Sequence, residues 1–497
     1  MPTKKSKSSQ TGQQTRAGFI SAQIAEAEIP DYVVVELRYE APVAFTSSKF
    51  AAPAAAAPQA DSLNRTLAKY DIAALRSHFG LPAKVVRSRV EVAGTLPKEP
   101  NPTAFADKGM DTDFIHSGFV QVLPKKNSDA KKIASELNRK DSVWKAFVAP
   151  RPVPAMPEGS AGGSRNFEPS QGYLYDAPDG IGAEEVWSLA GAKGKGITIC
   201  DIEGNWNRKH EDLPAGIPLI GGTVIDDLGW RNHGTAVLGE MISVPNAFGT
   251  VGISHEAKAV VQSTIMGGVF NTAGAIANAT SALKAGDVML IELQATGPNN
   301  KYVAMQFWGD IFSAIKVAVA KGITVVEAAG NGNENFDLPV FSGTGLQKDS
   351  GAIVVGAGVP PTNHFDNAGF GTTFPPYSSI GVPRSRIFFS NYGKIVNVQG
   401  WGWHVTSLGY GDAQGGASEN VWYTLRFSGT SSASPIVTGA VACLQGRARA
   451  KNGTPLTPAK VRQILMATGT PQQPGPGAPL TQNIGPLPNL AQAVKQV

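Results

Sequence analysis

A chain of 497 residues with 42% hydrophobic and 17% charged side chains can bury a large core, which excludes disorder throughout, and its length favours two domains. Its 56 glycines and 35 prolines follow no triplet period, and no apolar run is long enough to cross a bilayer, so collagen-like and membrane-spanning architectures fall away. The net charge of +5 arises largely from Met1 to Ile20, where Lys4, Lys5, Lys7 and Arg16 meet no acidic residue. The remainder is near neutral, and no nucleic-acid partner is expected.

Residues 1–28, rich in Ser, Gln, Lys and Thr, are predicted to be a disordered basic tail. The tail lacks the apolar stretch of a secretory signal, which leaves the cytoplasm and a non-standard export route both open. Residues 29–150 form a first domain. Tyr32–Tyr39 reads as a strand, Ala51–Ala60 as a loop, and Ser62 caps a helix running towards Phe79. Val85–Val92 and Phe114–Leu123 read as strands, Asp129–Leu137 as a helix and Val143–Val148 as a last strand. The order is that of a small α+β, ferredoxin-like (split βαβ) domain.

Residues 151–172, with Gly159–Ser164 (GSAGGS) inside them, read as a flexible linker. From residue 173 to 497, short apolar runs alternate with helical patterns. Gly196–Asp201, Lys258–Thr264, Asp287–Leu293, Gly322–Ala329 and Ala352–Ala357 have the texture of strands buried on both faces. Phe312–Lys321 and Val437–Arg449 read as helices. The expectation is an α/β fold with a doubly wound, mostly parallel sheet and a site at the carboxyl ends of its strands. Cys200 and Cys443 are too few for a disulfide framework or a four-cysteine zinc site and are expected to be buried.

Three segments carry candidate chemistry. GITICDIEGNWNRKHEDL (Gly196–Leu213) places Asp201 at a strand end. NHGTAVLGEM (Asn232–Met241) places His233 before a helix, and FSGTSSASPIVTGAVA (Phe427–Ala442) places Ser431 at a helix start, with Pro435 in the first turn. A hydroxyl, an imidazole to take its proton and a carboxylate to orient that imidazole are the groups that nucleophilic acyl transfer requires. Taken singly, each residue is as well explained as a cap or a turn residue.

Together these segments resemble the subtilisin-like serine peptidases, the subtilases. Asn232, His233, Gly234 and Thr235 match the family's histidine motif. Gly429 to Pro435 match Gly-Thr-Ser-x-Ala-Ser-Pro in full, and Ala328, Ala329, Gly330 and Asn331 match the stretch whose asparagine donates to the oxyanion. The resemblance runs from about Tyr173 to Ala493. It implies a serine endopeptidase with Asp201, His233 and Ser431 as catalytic residues, Asn331 in the oxyanion hole and a protein or peptide as substrate. No cofactor is required for that chemistry; structural calcium is open, since no dense carboxylate loop is visible. The Gly-x-Ser-x-Gly elbow, the paired-histidine zinc motif and a complete dinucleotide loop are absent from the sequence.

The match loosens at two places. After Asp201 the family has Ser or Thr and then Gly, whereas this chain has Ile202, Glu203 and Gly204. Asp201 is kept as the orienting acid because Asn207–Leu213 resembles the family's downstream segment. Where the family's substrate-binding strand ends near Ser-Leu-Gly-Gly, the chain has Glu292, Leu293, Gln294 and Ala295. Glu292, Leu293, Gln294 and Gly330 are therefore the expected substrate-binding residues. Glu292 either favours Lys or Arg before the scissile bond or turns away from the cleft, and Gln294 would narrow it.

In many subtilases a domain of split βαβ order precedes the catalytic one, assists its folding and inhibits it. The resemblance thus implies a zymogen whose own first domain is an intramolecular inhibitor, cut near Ala149–Gly159, or else a permanently attached regulatory domain. Two further readings stay open: a peptide ligase or cyclase using the same acyl-enzyme, and an inactive binding protein whose triad is misaligned by the altered turn after Asp201.

Overall fold

A computed structural model describes residues 23–24, 29–93, 112–152, 165–361 and 381–497. The basic residues of the tail and most of the expected processing segment lie outside the described residues.

The amino-terminal unit is built on a four-stranded antiparallel sheet. Its elements are β1 (Val33–Leu37), α1 (Ala57–Leu67), β2 (Ile72–Ser77), α2 (Ala83–Ala93), α3 (Thr112–Ser117), β3 (Phe119–Pro124), α4 (Ala130–Leu137) and β4 (Val143–Val148). The spatial order β2–β3–β1–β4 is the split βαβ arrangement. Several local expectations change. The helix expected from Ser62 to Phe79 ends at Leu67, and Ile72–Ser77 is a strand; Val85–Val92, expected as a strand, is helical. The Val-rich run is interspersed with Arg, Ser and Glu and lies outside the sheet, so tertiary placement overrides its β-branched composition.

Alternation along β1 sets what the sheet does. Val33, Val35 and Leu37 pack with Leu63, Leu67, Ile133 and Leu137 of α1 and α4. Tyr32 and Val34 face the other way and join Phe119, Leu123 and Val269, the last belonging to the second unit.

That second unit holds a seven-stranded parallel sheet. Its strands are β5 (Thr198–Glu203), β6 (Leu219–Gly221), β7 (Lys258–Ser263), β8 (Val288–Ile291), β11 (Thr324–Ala328), β12 (Ile353–Gly358) and β13 (Val396–Trp401). They lie in the order β13–β12–β11–β8–β5–β7–β6. A small antiparallel pair, β9 (Gln294–Thr296) and β10 (Tyr302–Ala304), follows β8. Helices α5 (Leu228–Ile242) and α8 (Thr430–Asn452) pack on one face. Helices α6 (Thr272–Ala282) and α7 (Gly309–Ala320) cover the other. A second antiparallel pair, β14 (Val405–Leu408) and β15 (Tyr423–Phe427), leads into α8. This is the doubly wound α/β fold expected, and Cys200 and Cys443 are buried free thiols. The strand order reverses at β5, so the crevice beyond its carboxyl end is the topological switch point.

The amino-terminal sheet docks on α6 and α7. The Tyr32 hydroxyl donates to the carbonyl of Phe270 at 2.7 Å, and His78 Nε2 lies 2.6 Å from Asp310 Oδ2 in the first turn of α7. Asn271, the N-cap of α6, accepts from Gly274 N and donates to the carbonyl of His78 at 2.7 Å. No helix among the described residues is long and apolar enough to cross a membrane.

Candidate active site

The candidate residues converge on the carboxyl ends of β5, β8 and β11. His233 is the sixth residue of α5, whose start is capped by Asp227 accepting from the amide of Trp230. The imidazole is fully buried, with the Phe427 ring nearly perpendicular to it at 5.4 Å between centroids. Its Nδ1 lies 2.5 Å from Glu203 Oε1, and Glu203 is fully buried too. Its Nε2 makes no hydrogen bond.

Glu203, not Asp201, is therefore the carboxylate that meets the imidazole. Strand β5 runs two residues beyond Asp201. Successive side chains alternate, so both acids point to the α5/α8 face while Cys200 and Ile202 point to the other core. Two residues of strand amount to about 6.6 Å, which leaves Asp201 a step below the plane where His233 sits. Asp201 instead accepts from Trp206 Nε1 at 2.7 Å through Oδ2. Burial first, and the neighbouring Glu203 second, push its carboxyl well above the ordinary aspartate range; the Trp206 bond opposes them. The sequence held the signal for Glu203: an extra residue before Gly204, and a second acid on the same strand face as Asp201.

Ser431 is the second residue of α8 and almost fully buried. The helix begins at Thr430, ahead of the expected start, and Pro435 falls at its sixth position. Proline has no amide hydrogen, so the Ser431 carbonyl loses its i+4 donor. Gly429 precedes the helix at φ 110°, a conformation that a side chain would strain. The amide of Ser431 is among those that a helix start leaves without an internal acceptor, at its positive end.

Asn331 follows Gly330, which turns the chain away from β11 at φ +89°. Asn331 Oδ1 accepts from Thr430 N at 2.9 Å and from Thr430 Oγ1 at 3.0 Å. Those two bonds fix the amide and leave Nδ2 turned away from them as the free donor. The Asn331 amide donates to Gln294 Oε1 at 2.8 Å, and Gly330 N to Thr430 Oγ1 at 3.1 Å. Gln294 is buried and supports the Asn331 loop; its side chain does not project to narrow a cleft.

Glu292 likewise turns inward. It is 1% exposed, at the end of β8, and its Oε1 is hydrogen-bonded to the hydroxyl of Ser434. Ser431 bears on the same carboxyl. A side chain so enclosed cannot select a substrate's Lys or Arg by charge, which corrects that expectation. Leu293 is buried in the α6/α7 core. Trp206, which holds Asp201, went unnoticed in the sequence, where nothing distinguishes it from a packing residue; Ser434, which holds Glu292, was legible only as a member of the nucleophile motif.

Residues 194–484 match the family described as the Subtilase family. The chain belongs to that family. An extracellular protease of Xanthomonas campestris pv. campestris is 31% identical over 272 residues, covering 54% of this chain and 39% of the relative. The chain thus matches well under half the length of that curated relative. Among solved structures, a protease from Pseudoalteromonas arctica aligns at 20% identity and TM-score 0.47, over 67% of this chain and 98% of the other. Fervidolysin from Fervidobacterium pennivorans, described as a keratinolytic enzyme related to subtilisin, aligns at 16% identity and TM-score 0.49, over 95% and 62%.

Proposed function

We propose that this subtilase is a serine endopeptidase, made as a zymogen with an inhibitory amino-terminal domain. The observation that carries the proposal is the enclosed His233–Glu203 pair, with Nε2 left unpartnered, on a helix packed against the one that bears Ser431. Ser431 Oγ attacks the scissile carbonyl carbon as His233 Nε2 takes its proton. Glu203 holds Nδ1–H and stabilises the imidazolium so formed. The oxyanion receives Asn331 Nδ2–H and the Ser431 amide, a preorganised pair at a helix start. The imidazolium then protonates the leaving amine, and water, deprotonated by His233, hydrolyses the acyl-enzyme. No step needs a cofactor.

The inhibitory role rests on the two-sided amino-terminal sheet. One face is its own core and the other is spent on α6 and α7. The linker that follows is rich in Gly and Pro and suited to cleavage. The test is incubation of the purified full-length protein beside Ser431→Ala, read by intact mass and by labelling with a fluorophosphonate. Wild type is expected to cut itself within the linker and to label. Ser431→Ala is expected to stay whole and unlabelled. Failure of wild type to label after its amino-terminal domain has been removed would overturn the enzyme.

A further inference from the structure

The catalytic scheme leaves Glu292 without a task, although it is enclosed beside the nucleophile. The hydroxyl of Ser434 lies 2.6 Å from the carbonyl of Thr430 and also contacts Glu292 Oε1. A carbonyl only accepts, so the single hydroxyl hydrogen of Ser434 is committed to Thr430, one turn back in α8. The contact with Glu292 then needs a second hydrogen, and only the carboxyl can supply it. Glu292 Oε2 makes no hydrogen bond.

The surroundings favour the same protonation state. From β5, Asp201 and Glu203 act on Glu292, and from α5 Glu240 does, all three acids. Helix α8 presents only the hydroxyls of Ser431 and Ser434. Glu327 of β11 is in register with Ile291, so it points to the opposite face, where its carboxyl accepts from Gln306 N. Among the described residues no cation acts on Glu292. Burial foremost raises its pKa well above the usual glutamate range, and the charges of Asp201 and Glu203 add to it.

We propose that Glu292 is a neutral carboxylic acid that positions the nucleophile: its O–H is donated to Ser434, one turn beyond Ser431 in α8, and this leaves Oε2, buried and unpartnered, as the acceptor for the hydroxyl of Ser431. The proton sets the strength of that hold. A carboxylate would bind the Ser431 hydroxyl by a charge-assisted bond, roughly twice as strong as a neutral one, and would compete with His233 Nε2 for its hydrogen. It would also set an anion beside the forming oxyanion. The neutral acid orients Ser431 and still releases it when substrate arrives. Glu292 is thus a positioning residue acting through Ser431, and the inference rests on the serine-peptidase reading.

Glu292→Gln keeps a neutral donor and acceptor of the same shape, whereas Glu292→Leu keeps neither. In the processed full chain, assayed on a chromogenic peptide, the Gln variant should stay within about tenfold of wild-type kcat and the Leu variant should fall by about 10²–10³, with KM little changed in both. Infrared difference spectra, wild type minus Glu292→Gln, should show a protonated carboxyl stretch at neutral pH. The inference is overturned if Glu292→Gln is as impaired as Glu292→Leu, or if the carboxyl band is that of an ionised group. A wild type that neither cleaves peptide nor labels would instead defeat the enzyme reading, and the infrared result would still report the state of Glu292.

Discussion

The two faces of the parallel sheet differ in where their buried polar groups find partners. On the α6/α7 face, polar groups meet across the domain boundary: His78 with Asp310, Asn271 with the His78 carbonyl, Tyr32 with Phe270. On the α5/α8 face, Asp201 Oδ1, both oxygens of Glu240, Glu292 Oε2 and His233 Nε2 lie buried with no hydrogen bond. Each such group costs about 1–3 kcal/mol. The α6/α7 side is not free of them, since Asp310 Oδ1 and Glu327 Oε2 are unpartnered too, so among the described residues the contrast is one of number: the α5/α8 face leaves more such groups, His233 Nε2 among them, while the docking face joins polar groups across the boundary.

The sharpest way to break this comparison is to exchange the two acids of β5. Glu203→Gln should lower kcat by about 10⁴-fold, because the amide can neither hold the required tautomer of His233 nor stabilise the imidazolium. Asp201→Asn should cost less than about tenfold, since the amide oxygen still accepts from Trp206 and burial already disfavours the charged form of Asp201. Steady-state kinetics on both variants decide it. Equal losses would mean that the acids work as a pair.

This pair also shows how far the sequence could be read. Extended motifs placed His233, Ser431 and Asn331 at one strand-end crevice, because glycines, helix starts and strand ends are written locally. The Asp-to-Glu exchange was signalled by the extra residue before Gly204, but spacing alone did not decide between the two acids, since the choice depends on β5 continuing two residues further, in register with β7. The same limit applies in the amino-terminal unit. There the segment around Val85–Val92 has strand composition, yet pairing partners elsewhere fill the sheet and leave it helical. Glu292 was legible as an acid near the site, but its direction is set by Ser434, a contact 142 residues away in sequence.

A smaller effect tests the oxyanion assignment. Asn331→Ala removes a donor whose orientation is fixed by Thr430, and should reduce kcat by about 10²–10³ with KM nearly unchanged. Thr430→Val, which removes the hydroxyl bond to Asn331 Oδ1 but keeps the amide bond and Nδ2, should fall between wild type and Asn331→Ala. If the two single losses are independent when combined, Thr430 is not acting through Asn331.

The docking face makes the mildest prediction, one of pH. Glu36 sits on the face of β1 turned to the second unit, beside Gly309 at the start of α7. Burial first, and the charge of Asp310 second, raise its pKa from 4.5 to about 8, against the nearby Lys145, Lys348 and Arg89. An undocked domain exposes this carboxyl and restores its ordinary value. The docked state therefore holds an extra proton between those two values, so docking weakens as pH rises from 4.5 to about 8, and changes no further through this group outside that window. The slope is at most about tenfold per pH unit. In protein nicked within the linker, dissociation of the amino-terminal domain followed by size exclusion should accelerate across that window, and Glu36→Gln should flatten the rise. The His78–Asp310 pair is common to both proteins, so their difference isolates Glu36. A rise that persists unchanged in Glu36→Gln would place the pH dependence elsewhere and leave α7 with a neutral neighbour of no consequence for release.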